Sequence, residues 1–240
     1  MKSSLWFVSL AVGPVLASGM DFGTAAQLFA EVAQRNQVRE SELQKYSAVR
    51  TYQVQAPDGR VRGESRVLVR FEPPHPKTFT ILEEHGSRVI QMMVFRPLRE
   101  HEAKSSAGAD KTDSAITPAN YRVEMAGEAD LDGRHCYLLS ATPRRRDKYL
   151  FRGTLWIDAQ DLAIARIEGE PAKLPSFWVS KVHFVRRYRK IGDFWLPAED
   201  SSVSDVKIFG RHTLTIRYSD YTLGDKAPDL ADENTGGTHP

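Results

Sequence analysis

Residues 61–71 read Val61-Arg62-Gly63-Glu64-Ser65-Arg66-Val67-Leu68-Val69-Arg70-Phe71, and their period decides the fold class. Val61, Gly63, Ser65, Val67, Val69 and Phe71 place small or apolar groups on one face, while Arg62, Glu64, Arg66 and Arg70 place charge on the other. Successive side chains of a strand point to opposite faces, so a two-residue period marks a half-buried strand. The rhythm returns at Trp178, Ser180, Val182, Phe184 and Tyr188, alternating with Lys181, His183, Arg187 and Arg189. Similar runs occupy Tyr46–Gln55, Lys77–Glu83, Val89–Phe95, Tyr121–Ala126, His135–Ala141, Tyr149–Ile157, Ala163–Glu168, Ser202–Phe209 and Thr213–Tyr221. Turn chemistry separates them, as in Pro57-Asp58-Gly59, Asp130-Leu131-Asp132-Gly133 and Ile191-Gly192-Asp193. About eleven strands on short loops make an antiparallel meander, because parallel neighbours would need crossover helices that the chain does not offer.

Helical signals are confined to two places. Thr24-Ala25-Ala26-Gln27 fits a capping box, and Ala25, Leu28, Phe29 and Val32 follow at helical spacing, which predicts a helix over about 24–39 that runs on toward Leu43. Residues 96–118 open with a possible short helix, Pro97 to Lys104, and pass into a Ser/Ala/Gly stretch; an insertion of this length within a sheet is the usual place for a lid. A sheet this long has to cover its apolar face, and only these two segments are available to do so. The fold class that follows is mainly β (α+β): a curved, unclosed antiparallel barrel wrapped around the N-terminal helix and a helical or loop lid.

The chain starts with Lys2 and a run from Leu5 to Ala17 that is almost wholly apolar, with Val15 and Ala17 at positions −3 and −1 of a cut before Ser18. That is the pattern of a cleaved secretory signal, and the run is short for a membrane span; an uncleaved anchor is the competing reading. The expected organisation is a signal peptide at 1–17, one domain at 18–224 and a disordered, acid-rich tail at 225–240, with the mature protein exported. The 240 residues carry 33 Lys+Arg against 31 Asp+Glu, and a net charge of +2 gives no electrostatic case for binding nucleic acid.

Signatures of chemistry are sparse. No Gly-x-Ser-x-Gly elbow occurs, and the seven histidines show no metal-binding spacing. Cys136 cannot form an internal disulfide, and its apolar strand reads as the setting of an inert thiol. Asp158 and Asp161 flank a turn that they organise through side-chain-to-backbone bonds. The basic clusters Arg144–Arg146 and Arg186–Lys190 read as a loop and a solvated strand face, or as a surface for anionic headgroups or an acidic partner. Aromatic residues on the inward strand faces read either as core packing or as a lining for an acyl chain.

Two segments carry a family resemblance. Arg152-Gly153-Thr154-Leu155-Trp156-Ile157-Asp158, followed by Ile164-Ala165-Arg166-Ile167-Glu168-Gly169, resembles the G-x-x-W-x-D…R-x-E-G hairpin of the LolA-like outer-membrane lipoprotein-sorting family. Gly192-Asp193-Phe194-Trp195-Leu196-Pro197 is similar to that family's G-x-x-W-L-P turn. The resemblance implies an unclosed half-barrel with a hydrophobic cavity, no catalysis and no cofactor. It also implies a periplasmic, monomeric carrier of lipid or lipoprotein acyl chains, working between an inner-membrane donor and an outer-membrane acceptor. The expected cavity residues are Val67, Val69, Phe71, Phe79, Trp178, Val182, Phe184 and Tyr188, and the expected lid residues are Leu28, Phe29, Val32 and His75. His75-Pro76-Lys77-Thr78-Phe79 departs from the carriers' Arg-Pro-x-x-Phe segment, whose Arg bonds the lid. A sensor or adaptor of the same fold, acting through protein contacts, is the alternative.

Overall fold

The computed structural model describes residues 23–106, 114–174, 179–207 and 210–224. The expected export signal at 1–17, the tail at 225–240 and Trp178 lie outside these residues. Ten strands form one antiparallel sheet: β1 (Tyr46–Gln55), β2 (Val61–Phe71), β3 (Thr78–Gly86), β4 (Tyr121–Leu131), β5 (Arg134–Pro143), β6 (Phe151–Asp158), β7 (Ala163–Pro171), β8 (Val179–Ile191), β9 (Phe194–Val206) and β10 (Gly210–Leu223). Their order is β3-β2-β1-β10-β9-β8-β7-β6-β5-β4, so every loop but one is a meander turn. The exception joins the two edge strands, β3 and β4. The sheet is therefore unclosed, with its gap between them.

Helix α1 (Ala25–Glu42) begins where Thr24 caps it: the hydroxyl accepts the Gln27 N–H at 3.2 Å and donates to Gln27 Oε1 at 3.1 Å. The reciprocal half of the box thus closes on the Thr hydroxyl. Leu28, Phe29 and Val32 face inward onto a cluster of Tyr121, Leu139, Leu155, Ile157 and Ile167 from β4–β7. At about 2 kcal/mol for each buried side chain, that seat contributes roughly 6 kcal/mol of gross stabilisation. Arg39 ties the end of α1 to the β6–β7 turn by donating to the carbonyls of Asp161 and, at 3.3 Å, Leu162.

The run Val89–Phe95, expected as an eleventh strand, is helical. Helix α2 (Arg88–Ile90) passes through one π-type turn (Gln91–Phe95) into helix α3 (Arg96–Ser106), making a continuous rod between the edge strands. Tertiary packing overrides the β-branched composition here. Gly86, at φ 84°, turns the chain, and Ile90 then seats on Gly63, where an added Cβ would lie 2.8 Å from the Ile90 Cγ2. The Gln91 amide donates to the Glu64 and His85 carbonyls at 2.8 and 2.9 Å. Ile90, Val94 and Phe95 then cover Tyr52, Val54, Val67 and Val69, forming a second core beneath the rod.

The motif glycines have a packing reason. Gly153 and Gly169 face each other across the β6–β7 ladder. A Cβ on Gly153 would stand 1.9 Å from the Glu168 carbonyl oxygen and 2.6 Å from the Gly169 Cα. Backbone on both sides leaves nothing flexible to yield. Gly153→Ala is expected to lower stability by about 3 kcal/mol, the upper end of overpacking costs, as a fall in the urea midpoint at unchanged slope.

Candidate functional site

The concave face is built from the inward positions of all ten strands, and its two ends are covered separately. Helix α1 lies over β4–β7 and the second rod over β1–β3, each on its own apolar cluster. Between them the floor of β8, β9 and β10 is left with a hollow of about 180 Å³. Phe184, Arg186, Asp200, Ser202, Leu214 and Ile216 line it. The register brings these residues together, since Phe184 pairs with Ser202, Arg186 with Asp200, and Ser202 with Leu214.

One wall is apolar and the other is charged. Phe184 stands edge-on to Phe151, with centroids 5.6 Å apart, and Leu214 and Ile216 continue the apolar wall from the second core. Arg186 clasps Asp200 through two hydrogen bonds of 2.5 and 3.0 Å while its side chain stays 46% accessible in the hollow. The Asp200 charge holds the Arg186 guanidinium well above its ordinary pKa. Tyr218 donates its hydroxyl to Asp200 at 2.7 Å, and the Arg50 guanidinium lies 4.7 Å from the Tyr218 ring centroid. A polar band thus crosses the interior from β8 to β1.

The band ends at the rod. Arg50 is 3% exposed and forks onto both carboxylate oxygens of Glu102 on α3. Lys77 donates to Glu102 from its ammonium at 2.8 Å and to the Ser106 hydroxyl from its backbone at 2.8 Å. Burial alone would raise the Glu102 pKa, but the hydrogen bonds and charges of Arg50 and Lys77 outweigh it and hold the group at about 2. One turn earlier Arg99 donates to the Ser65 hydroxyl at 3.1 Å and pairs with Glu84 at 3.4 Å. On the outer side the His101 ring stacks on Tyr149, with Nε2 and Oη 3.1 Å apart, linking α3 to the β5–β6 loop. Helix α2 and the π-type turn are seated by apolar packing, α3 by ion pairs.

The expected cavity and lid residues are dispersed. Phe184 lines the hollow, and Tyr188 packs beside it on the first cluster. Val67 and Val69 are wholly buried under the rod in the second. Phe79 joins that cluster with Arg50 above its ring, and Phe71 lies 5.4 Å from Tyr46. Val182 lines a separate recess with Leu174 and Lys181. Leu28, Phe29 and Val32 are core residues of α1, and His75 is an exposed turn residue whose N–H bonds the Glu72 carbonyl. Glu102 on α3 is bound by Arg50 and Lys77, not by His75. One sign of it was present in the sequence: Arg50 interrupts the inward apolar positions Ala48, Tyr52 and Val54.

The motif residues form a structural knot away from the hollow. Asp158, 1% exposed, takes two bonds from Arg134 and accepts the Asp161 N–H at 2.7 Å, which organises the turn as its spacing suggests. Asp161 accepts from Lys190 and from the Trp195 indole, each at 3.0 Å. Arg166 lies over Trp156 and pairs with Glu168. Burial pushes the Cys136 thiol to about 11, leaving little thiolate near neutral pH. Among the described residues no group of three or more His, Cys, Asp or Glu side chains is placed to hold a metal ion, and no helix is long and apolar enough to cross a membrane.

No family model matches the sequence, and no curated protein is significantly similar to it. Several solved structures are similar in fold. A LolA superfamily protein from Nitrosomonas europaea is 14% identical at a TM-score of 0.46, over 84% of this chain and 95% of that one. A DUF1329 family protein from Desulfovibrio piger is 14% identical at 0.45, over 85% and 95%. A domain from Vibrio parahaemolyticus assigned to outer membrane lipoprotein sorting is 12% identical at 0.48, over 85% and 95%. The likeness is one of fold.

The Arg50–Glu102–Lys77 cluster has a pH signature. Because the folded-state pKa of Glu102 is depressed, its contribution is complete above about pH 4.5 and is lost as pH falls toward about 2. Glu102→Gln removes the charge that Arg50 needs, at a cost of about 3 kcal/mol. The urea midpoint of the wild type is expected to fall toward that of the variant between pH 4.5 and 2, and the gap between them to stay constant from pH 5 to 8. A gap independent of pH throughout would remove Glu102 from the ion-pair cluster.

Proposed function

We propose that this chain is a periplasmic carrier that shelters the acyl chains of lipoproteins or lipids between its curved sheet and its helices, for transfer towards the outer membrane. On this reading residues 18–224 are the carrier domain, exported by the segment at 1–17. The donor is a complex at the inner membrane and the acceptor lies at the outer one. The observation that carries the reading is the hollow between the two cores, beside a rod whose α3 half is seated by ion pairs rather than by apolar packing. Apolar packing of that half would resist opening, whereas ion-paired groups regain water when it opens.

Volume decides what the hollow does as it stands. Its 180 Å³ is below the roughly 300 Å³ at which small-molecule pockets begin. On this reading the form described here is the closed one, and cargo enters when α3 lifts from Arg50 and Lys77 and widens the space along Phe184, Leu214 and Ile216. The affinity comes from apolar area: about 0.8 kcal/mol for each buried CH₂ gives a fourteen-carbon chain roughly 11 kcal/mol of gross transfer energy. Arg186, half accessible at the charged wall, is positioned for the polar end of the cargo.

Phe184→Asp is expected to weaken binding of a fluorescent fatty acid at least about tenfold, since it sets an unpaired charge against the chain, while the circular dichroism spectrum is kept. Unchanged affinity would take Phe184 out of the binding space. A second reading has one observation in its favour: both ends of the interior are densely packed, with Val67, Val69 and Leu155 fully buried. A sensor or adaptor with a filled core would work through protein contacts instead. Native mass spectrometry of protein purified without detergent separates the two: co-purifying lipid or acylated peptide supports the carrier, and a clean mass after incubation with lipid supports the adaptor.

A further inference from the structure

The outward side of the rod is apolar where a surface helix is ordinarily polar. Val89, Met92 and Met93 are 64%, 62% and 73% exposed. The π-type turn, closed by the Arg96 N–H on the Gln91 carbonyl, brings this about. Its wider circuit sets Val94 and Phe95 inward on the second core and leaves both methionines outside, side by side. Val61 on β2, two residues before the Gly63 that receives Ile90, is also half exposed.

The surround of this patch carries surplus cations. Of the nearby acids, Asp58 pairs with Arg60, Glu83 with Arg66 and His85, and Glu100 with Arg96, while the Glu64 carboxylate accepts the Gln53 amide. Arg62 and Arg88 are exposed, and among the described residues neither closes an ion pair. The Ser87 N–H donates to the Arg62 carbonyl at 2.8 Å, which sets the two arginines on adjacent segments at the base of the rod.

We propose that this end of the rod docks onto an anionic lipid surface, with Val89, Met92 and Met93 entering the boundary between headgroups and acyl chains and Arg62 and Arg88 meeting the headgroup charge. The chemistry favours lipid over a protein partner. The apolar groups project, and protein hot spots lie in well-packed pockets, whereas a fluid interface accepts flexible thioethers without a matching shape. The combination of a small apolar set with flanking cations is that of interfacial helices, in which neither part alone holds the surface. The inference rests on the rod's exterior and does not depend on what the hollow holds.

The test places an environment-sensitive nitrobenzoxadiazole label on the full chain by Met93→Cys, since the native Cys136 is buried, and a control label by Glu124→Cys on exposed β4. Vesicles of equal parts phosphatidylglycerol and phosphatidylcholine are added, and then phosphatidylcholine alone. The expected result is a blue shift and emission gain at position 93 with the anionic vesicles, little with the neutral ones, and none at position 124. Adding Arg62→Gln and Arg88→Gln to the labelled protein should weaken the partition about thirtyfold, the effect of two headgroup-facing cations. Independently of the label, the double substitution Met92→Asp with Met93→Asp should abolish co-sedimentation with anionic vesicles while leaving the circular dichroism spectrum and the urea midpoint unchanged. No response at position 93, an equal response to neutral vesicles, or unchanged co-sedimentation of the Met92/Met93 variant would overturn the proposal, as would a protein complex seated on these residues without any vesicle response.

Discussion

The pairing of β1 with β10 makes one sheet out of two. Strands β1–β3 form one meander near the start of the chain and β4–β10 form another, and only the ladder from Tyr46 opposite Leu223 to Gln55 opposite Thr213 joins them. Its partners lie more than 150 residues apart, so loop-closure entropy must be met before any of its bonds form. Everything else follows from it. The edge strands become β3 and β4, the segment between them is forced to cross the open side, and the inward faces of both meanders become one concave floor.

That floor is too wide for a single cover. Helix α1 seals one end and the second rod the other, each with its own apolar cluster, and the strip between them falls on β8–β10. The strip is where the interior turns polar: Arg50, Tyr218, Asp200 and Arg186 run across four strands in succession. Buried charge is tolerated there because each group has a partner, and a partnered charge is easier to re-expose to water than a packed leucine is to expose. The rod therefore has two kinds of seat, apolar at α2 and the π-type turn and ionic at α3.

Where the sequence misleads, it does so for one reason. Val89–Phe95 has strand-like composition and becomes helical because β2 and β3 together offer Gly63 as a seat for Ile90 and the Glu64 and His85 carbonyls as acceptors for the Gln91 amide. His75 stands where a motif alignment expects a contact to the helical segment, yet the cation that meets α3 is Arg50, 25 positions earlier, because strand register rather than sequence order decides which cation faces it. Conversely, the residues of the family-like motifs were found readily because their roles are local. Gly153 and Gly169 permit a close strand approach, and Asp158 with Asp161 organises a turn; both belong to one hairpin.

What the sequence alone determined is the local grammar: the two-residue period of the strands, the Thr24 cap and helical stripe of α1, the turns, and the inward placement of Phe184 and Tyr188. These depend on neighbours within a few residues, and side-chain alternation or capping expresses them directly. What only the tertiary structure decided is which inward faces end up covered and which remain open. Val67 and Phe184 occupy equivalent positions on their own strands, yet one lies under Phe95 and the other lines a hollow. The difference comes from where two helices come to rest on a curved sheet. That position is set by the long-range β1–β10 pairing and by ion pairs between segments far apart in the chain, neither of which leaves a period for a linear reading to detect.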